Sequence, residues 1–241
     1  MLTYGSLFSG IGGLDLGFDR AGMQCKWQVE IDDYARRVLA KHWPHVRRHD
    51  DVRTFPPTDP DEWRVDVICG GDPCQANSGA VGGYVSKSTS LASEFLRIVD
   101  VLRPRIVVRE NPALVRRDAP SPWWVFRGGL ERIGYACLPF KLRACCLGAK
   151  HQRERVFVLG VLPDANGYGL ERWQSEKAWD ASQPPRPVER MDWPNIPTAR
   201  GFNSRAGLPD YVDEMRAIGN AVVPQVAEWI ARRIVAAAGR E

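Results

Sequence analysis

Residues 3–30 read TYGSLFSGIGGLDLGFDRAGMQCKWQVE. Thr3–Phe8 opens as a short strand-like run, and Ser9-Gly10-Ile11-Gly12-Gly13 breaks it with a glycine-rich turn. Leu14, Leu16 and Phe18 lead into a helix, and Gln24–Val29 forms a second strand ending in the acidic Glu30. A strand, a glycine turn and a helix start make a nucleotide-cofactor arrangement. Absent side chains let a ligand approach the backbone, and the helix N-terminus offers unpaired N–H groups. A carboxylate at the end of the next strand can accept hydrogen bonds from both hydroxyls of a ribose. This stretch predicts an α/β, doubly wound domain with an open parallel sheet.

Downstream, Asp33–His42 carries Tyr34, Val38 and Leu39 at helical spacing, with Pro44 beyond its end. His49-Asp50-Asp51-Val52 closes a third strand, where Asp51 can either meet an adenine amino group or cap a turn. Val65, Val67 and Ile68 read as a short buried strand stopped by Gly70-Gly71. Pro73 fixes the backbone immediately before Cys74, so the thiol sits on a defined turn at the carboxyl end of the strand. In open parallel sheets that edge binds ligands. Most free cysteines are buried and inert. Here the polar Asp72, Gln75, Asn77 and Ser78 crowd the thiol, which no core position does, so Cys74 is a nucleophile candidate.

Gly79–Ser90 is rich in Gly and Ser and reads as a loop able to close over substrate. Leu91–Leu102 is an amphipathic helix, and Arg105–Val108 a buried strand leading to Arg109-Glu110-Asn111-Pro112. Trp124–Ile133 reads as a helix and Leu138–Ala144 as a strand. Arg153 and Arg155 precede the apolar strand Val156–Leu162, and strand alternation places them on one side, where they can act together on one anion or base. From Pro163 the character changes: Pro184, Pro185, Pro187, Trp173, Trp179 and Trp193 interleave with little periodicity. This predicts a main domain of residues 1–162 plus 211–241 and a small irregular lobe at 163–210, near the lower limit for independent folding. Gly219-Asn220-Ala221-Val222-Val223-Pro224 precedes a last helix, Gln225–Ala238.

Hydrophobic residues make up 44% of the 241 residues and charged residues 26%, as in soluble globular chains. No apolar run approaches a membrane span, and no secretion signal is visible, so a cytoplasmic protein without membrane contact is expected. The six cysteines include no Cys-x-x-Cys pair, so reduced thiols and no metal site are expected. Net charge is +4, and basic pairs such as Arg36-Arg37, Arg47-Arg48 and Arg116-Arg117 are compatible with a polyanion.

Taken in order, these motifs resemble the DNA cytosine-C5 methyltransferases, of prokaryotic or phage type with a short target-recognition region. Phe8-Ser9-Gly10-Ile11-Gly12-Gly13 resembles the family's S-adenosylmethionine loop, Glu30 its ribose-binding acid, and Asp51-Val52 its adenine-contacting pair. Pro73-Cys74-Gln75 is similar to the nucleophile motif, Glu110-Asn111 to the Glu-Asn-Val motif, Arg153-Glu154-Arg155 to the Arg-x-Arg motif, and Gly219-Asn220-Ala221-Val222 to the closing cofactor motif. Asn77, Pro112 and Lys150-His151 depart from the family's usual residues.

The resemblance implies a Rossmann-like S-adenosylmethionine-dependent methyltransferase fold with a small target-recognition lobe. It further implies cofactor contacts at Ile31, Gly71, Pro73 and Leu91, and at Asn220 and Ala221. Catalytic roles fall to Cys74, Glu110, Arg153 and Arg155, and substrate contacts to Gln75, Ser78, Asn111, Arg200 and Arg205. The implied partner is double-stranded DNA, with a cognate restriction system as a candidate associate and the chain acting as a monomer. The chemistry unites these residue types: thiolate attack at cytosine C6 makes C5 nucleophilic, a carboxyl at N3 stabilises the developing charge, and arginines hold the base carbonyl. The base must leave the duplex to be reached. An NAD-binding Rossmann enzyme shares the glycine turn and Glu30 but gives no role to Cys74, Arg153 or Arg155. An RNA cytosine-5 methyltransferase, a catalytically weak DNA-binding homologue, and an enzyme using a modified cytosine or a different donor stay open as alternatives.

Overall fold

The computed structural model describes residues 1–73, 91–112, 122–163 and 218–238. The chain alternates strands and helices: β1 (Thr3–Leu7), α1 (Gly13–Arg20), β2 (Gln24–Val29), α2 (Asp33–His42), β3 (Arg47–His49) and β4 (Val67–Gly70). There follow α3 (Ala92–Leu102), β5 (Ile106–Pro112), α4 (Pro122–Arg132), β6 (Ala136–Arg143), β7 (Glu154–Val161) and α5 (Pro224–Ala238). The seven strands form one sheet in the order β3-β2-β1-β4-β5-β7-β6.

Strand alternation divides the apolar residues between two faces. Val67, Cys69 and Val108 join Leu14 and Phe18 of α1 and Ile230 of α5 on one face. Ile68 and Val107 join Phe95 of α3 and Phe126 of α4 on the other. A sheet covered on both faces explains why β4 and β5 read as unbroken apolar runs rather than alternating ones. The last helix thus returns to pack with the first, across the segment that separates them in sequence.

The expectation of a parallel sheet needs one correction. β1 to β5 pair parallel, but β7 runs antiparallel to both β5 and β6. Between Arg143 and Glu154 lies only a short connection with a single 3-10 turn, Ala144–Leu147. A parallel crossover needs a dozen or more residues, whereas antiparallel neighbours can be joined tightly. The Arg143 Nε lies 2.7 Å from Glu154 Oε2 at the mouth of this hairpin.

Under the glycine turn lies a buried polar knot. Asp15 of α1 is fully buried and accepts hydrogen bonds from Ser6 Oγ of β1 (3.0 Å) and Gln28 Nε2 of β2 (2.9 Å). It therefore ties the first helix to both strands that flank the turn. Burial raises its pKa from 3.8 to about 6, against the lowering by Gln28 and Ser6. Because the folded value is raised, the associated stability is present below about pH 4 and is lost as pH rises through about 6. At ~1.4 kcal/mol per pH unit, this amounts to about 3 kcal/mol. Wild type should lose this much relative to Asp15→Asn between pH 4 and 7 in urea unfolding. Parallel pH profiles for the two proteins would show that Asp15 does not titrate in this range.

Candidate functional site

Register places the site. Leu7 of β1 lies opposite Val29 of β2 and Gly70 of β4, Val29 opposite His49, and Gly70 opposite Arg109. The residues that follow this line are Phe8, Glu30, Asp50, Gly71 and Glu110, one from each of the five parallel strands. All of them line one crevice of about 450 Å3 at the carboxyl edge of the sheet. Its position spans β1 and β4, where the strand order reverses, the usual ligand site of open α/β sheets. The volume suits a small-molecule ligand.

At one end, Glu30 is held by backbone donors: Gly10 N–H to Oε2 at 2.7 Å and Asp32 N–H to Oε1 at 2.8 Å. Each oxygen retains a lone pair for a further donor. Asp32 itself caps α2 through Ala35 N–H, so the helix start, the acid and the glycine turn form one unit. Phe8 adopts a left-handed backbone with φ 54° and stacks against Phe95. That conformation is costly for a bulky side chain and marks a constrained turn. Ser9 is buried, with its hydroxyl 3.1 Å from the Ser6 carbonyl. Asp51 caps the 3-10 turn Val52–Thr54 through Arg53 N–H and also lines the crevice, while Val52 is buried against it.

Gly13 lines the crevice, as does Gly10, and its missing side chain has a second use. A Cβ there would lie 2.3 Å from the Val222 carbonyl oxygen, so its absence makes room for the chain segment entering α5. Asn220, Ala221 and Val222 of that segment form a wall of the crevice. Leu91, Gly71, Pro73 and the exposed Ile31 line it as well. Ile11 is not among the lining residues.

At the other end, the Glu110 carboxyl is buried and packs over Gly71, where a Cβ would lie 2.9 Å from Oε2. Arg155 Nε sits 2.8 Å from Glu110 Oε1, a contact permitted because Pro112 of β5 lies opposite Arg155 of β7. Glu110 Oε1 and Arg155 Nε are buried against each other in this ion pair, and Arg153 Nε is buried with no hydrogen-bond partner among the described residues. Burial pushes the Glu110 carboxyl above its ordinary range, although Arg155 and Arg153 pull it down. Glu110 and Arg155 thus set a buried carboxyl beside a guanidinium at one end of the crevice, a combination that suits a polar ligand.

Arg153 and Arg155 are not side by side on a strand, as alternation predicted. Arg153 precedes β7 and has φ 30°, outside extended geometry. Its Nη1 donates to the Gly219 carbonyl at 2.9 Å and its Nη2 to the Ala221 carbonyl at 2.6 Å. It thereby fastens the segment that walls the crevice, an arrangement no spacing in the sequence signals. Also missed was the buried pairing of Arg109 with Asp72, hinted at only by a basic residue ending an apolar strand. Asn111 joins that pairing through Nδ2. Cys74, Gln75, Ser78, the loop 79–90, Arg200, Arg205 and the lobe predicted at 163–210, apart from Pro163, lie outside the described residues.

A family model described as C-5 cytosine-specific DNA methylase matches residues 2–196. The chain is 30% identical over 167 residues to Type II methyltransferase M.BsuFI of Bacillus subtilis, covering 68% of this chain and 40% of that protein. It is 28% identical over 182 residues to Type II methyltransferase M.HhaI of Haemophilus parahaemolyticus, covering 74% and 54%. The chain thus spans about half the length of such relatives. Among solved structures, an E. coli prophage-encoded protein described as a DNA modification methyltransferase is similar over the whole of both chains, with TM-score 0.68 and 21% identity. The S. pombe Dnmt2 methyltransferase has TM-score 0.53 at 19% identity, covering 67% of this chain and 49% of that one. These likenesses identify the fold as the Rossmann-like methyltransferase fold. With the family model matched across most of its length, the chain belongs to the C-5 cytosine-specific DNA methylase family.

Proposed function

We propose that the chain is an S-adenosylmethionine-dependent DNA cytosine-5 methyltransferase acting on a flipped cytosine through a covalent bond to Cys74. The observation that carries this reading is the single crevice joining Glu30 at one end to Glu110 and Arg155 at the other. A methyl donor held at the first end and a base held at the second share one cavity.

The donor fits the residues present: a carboxylate already oriented by two backbone N–H groups suits a ribose diol, and Asp51 and Ile31 flank it. When bound, S-adenosylmethionine supplies an electrophilic methyl group. The chain's own groups do the rest. The Cys74 thiolate adds to cytosine C6, while a protonated Glu110 donates to N3 and so accepts the electrons pushed into the ring. Burial, which favours the neutral carboxyl, prepares Glu110 for that role. Arg155, beside Glu110, carries five N–H donors, more than its contact with Glu110 uses, and so can also hold the base carbonyl. After methyl transfer to C5, a water-derived base removes the C5 proton, the Cys74 sulfur leaves C6 as thiolate, and N3 returns its proton to Glu110, restoring the neutral aromatic ring and the acid. The segment 163–210 is assigned to target selection, with Arg200 and Arg205 as readers of guanine edges or phosphates.

Incubation of duplex DNA and of tRNA with the protein and the donor, followed by bisulfite mapping, tests the reaction. Methylcytosine in the duplex at a recurring short sequence is expected. Methylation confined to tRNA would move the substrate to RNA, and none in either would overturn the reading.

The cofactor end carries its own expectation. Glu30→Ala removes two ribose bonds and releases the glycine turn, so donor affinity should fall by ~1.5–3 kcal/mol, the range for bonds to a charged group. Calorimetry showing unchanged affinity would place the donor elsewhere.

A further inference from the structure

We propose that the buried Asp72–Arg109 pair is a positioning device that fixes the turn at Pro73 against Glu110, and so sets the geometry of the proposed transfer reaction. The inference rests on the functional reading above. Arg109 is the last residue of β5 opposite β4, and its side chain is 1% exposed; that of Asp72, two residues past the end of β4, is 3% exposed. Their contact is bidentate: Nε to Oδ1 at 2.5 Å and Nη2 to Oδ2 at 2.8 Å. Asn111 Nδ2 adds a bond to Oδ1 at 3.2 Å, and the guanidinium lies 4.4 Å from the Phe126 ring centroid.

Stability does not explain such a pair. Two charges removed from water cost much of what their attraction returns, and apolar residues of similar volume serve a core at least as well. What a planar fork on a carboxylate supplies is direction, because two parallel bonds admit one relative orientation. Here the two partners precede the two residues that matter: Asp72 is followed by Pro73, and Arg109 by Glu110. Pro73 has no N–H, so no backbone donor at that residue can pin this turn. The Asp72 side chain pins it instead.

The arrangement is a two-sided clamp. Arg109 and Asn111 share one side of β5 and Glu110 takes the other. Gly71 leaves room for the Glu110 carboxyl, and the next residue, Asp72, holds Arg109 and Asn111. A shift of the turn by one residue would break both contacts together. Catalysis is sensitive to displacements near 1 Å at reacting groups, so a clamp at this point acts on turnover rather than on binding.

Either single neutralisation strands a buried charge and is strongly destabilising. The test is therefore the double variant Asp72→Leu/Arg109→Met, which removes the pair while keeping apolar volume, together with Asp72→Glu, which keeps the charges but lengthens the arm by one methylene. For both, we expect cooperative melting, a Kd for S-adenosylmethionine and a KM for duplex DNA within about twofold of wild type, and a kcat at least tenfold lower. A folded double variant with wild-type kcat overturns the proposal, as does Asp72→Glu with full turnover. If the double variant fails to fold, the turnover of Asp72→Glu alone decides between these outcomes. Absence of transfer by the wild-type protein would overturn the functional reading, and this inference with it. Normal turnover in wild type and variants removes the clamp alone.

Discussion

A Cys74→Ala variant is expected to bind S-adenosylmethionine as wild type does and to transfer methyl groups about a million-fold more slowly or not at all, the scale of loss when a covalent nucleophile is removed. The separation follows from position along the chain: the cofactor end is built from β1 and β2, whereas Cys74 follows β4 and Pro73. Duplex DNA carrying 5-fluorocytosine should trap the wild-type protein covalently, because fluorine cannot leave C5 as a proton does. The adduct should map to the Cys74 peptide. Burial pushes the Cys137 thiol up to about 12 and raises Cys25, Cys69 and Cys146 as well, which disfavours thiolate at each of them. Wild-type turnover in Cys74→Ala, or an adduct on another cysteine, would refute the covalent route.

The second large effect is expected at Glu110. Glu110→Gln keeps the size and a hydrogen-bond donor but cannot deliver a proton, so kcat should fall by about 100- to 10,000-fold, the usual contribution of a positioned acid. The pH dependence has a definite sign. Burial raises the carboxyl pKa, so the active, protonated form is present below the raised value and is lost as pH rises through it. The wild-type profile of kcat should therefore carry an alkaline decline that is absent from Glu110→Gln. Donor affinity should not change, since Glu110 sits at the far end of the crevice from Glu30. A Gln variant within threefold of wild type, or one with the same alkaline decline, would assign the proton to another group.

Local patterns account for what was legible beforehand. The bounds of β2 and α2 match the reading of residues 24–29 and 33–42, because the helical spacing of Tyr34, Val38 and Leu39, the stop at Pro44 and the glycine-punctuated strand–turn–helix pattern are all short-range signals. The last helix likewise follows from the spacing of Val226, Ile230 and Ile234, which the fold buries. Motif order pointed to the family that the comparisons show. Where a local rule was extended past its element, it failed. Alternation applies only within extended backbone, so it could not place Arg153, whose left-handed φ turns the guanidinium to the carbonyls of Gly219 and Ala221.

By itself, then, the sequence determined the elements, their α/β alternation and the chemistry-bearing residue types, since each depends on neighbours a few positions apart. Tertiary structure alone decided which strand edges meet. Register aligned Leu7, Val29, His49, Gly70 and Arg109, which set Phe8, Glu30, Asp50, Gly71 and Glu110 around one crevice. The reversed direction of β7 brought Arg155 to Glu110, 45 positions away in the chain, and the folding of β5 against β4 paired Arg109 with Asp72. Such contacts arise from the joint burial of both faces of the sheet, a global condition that no window of sequence contains.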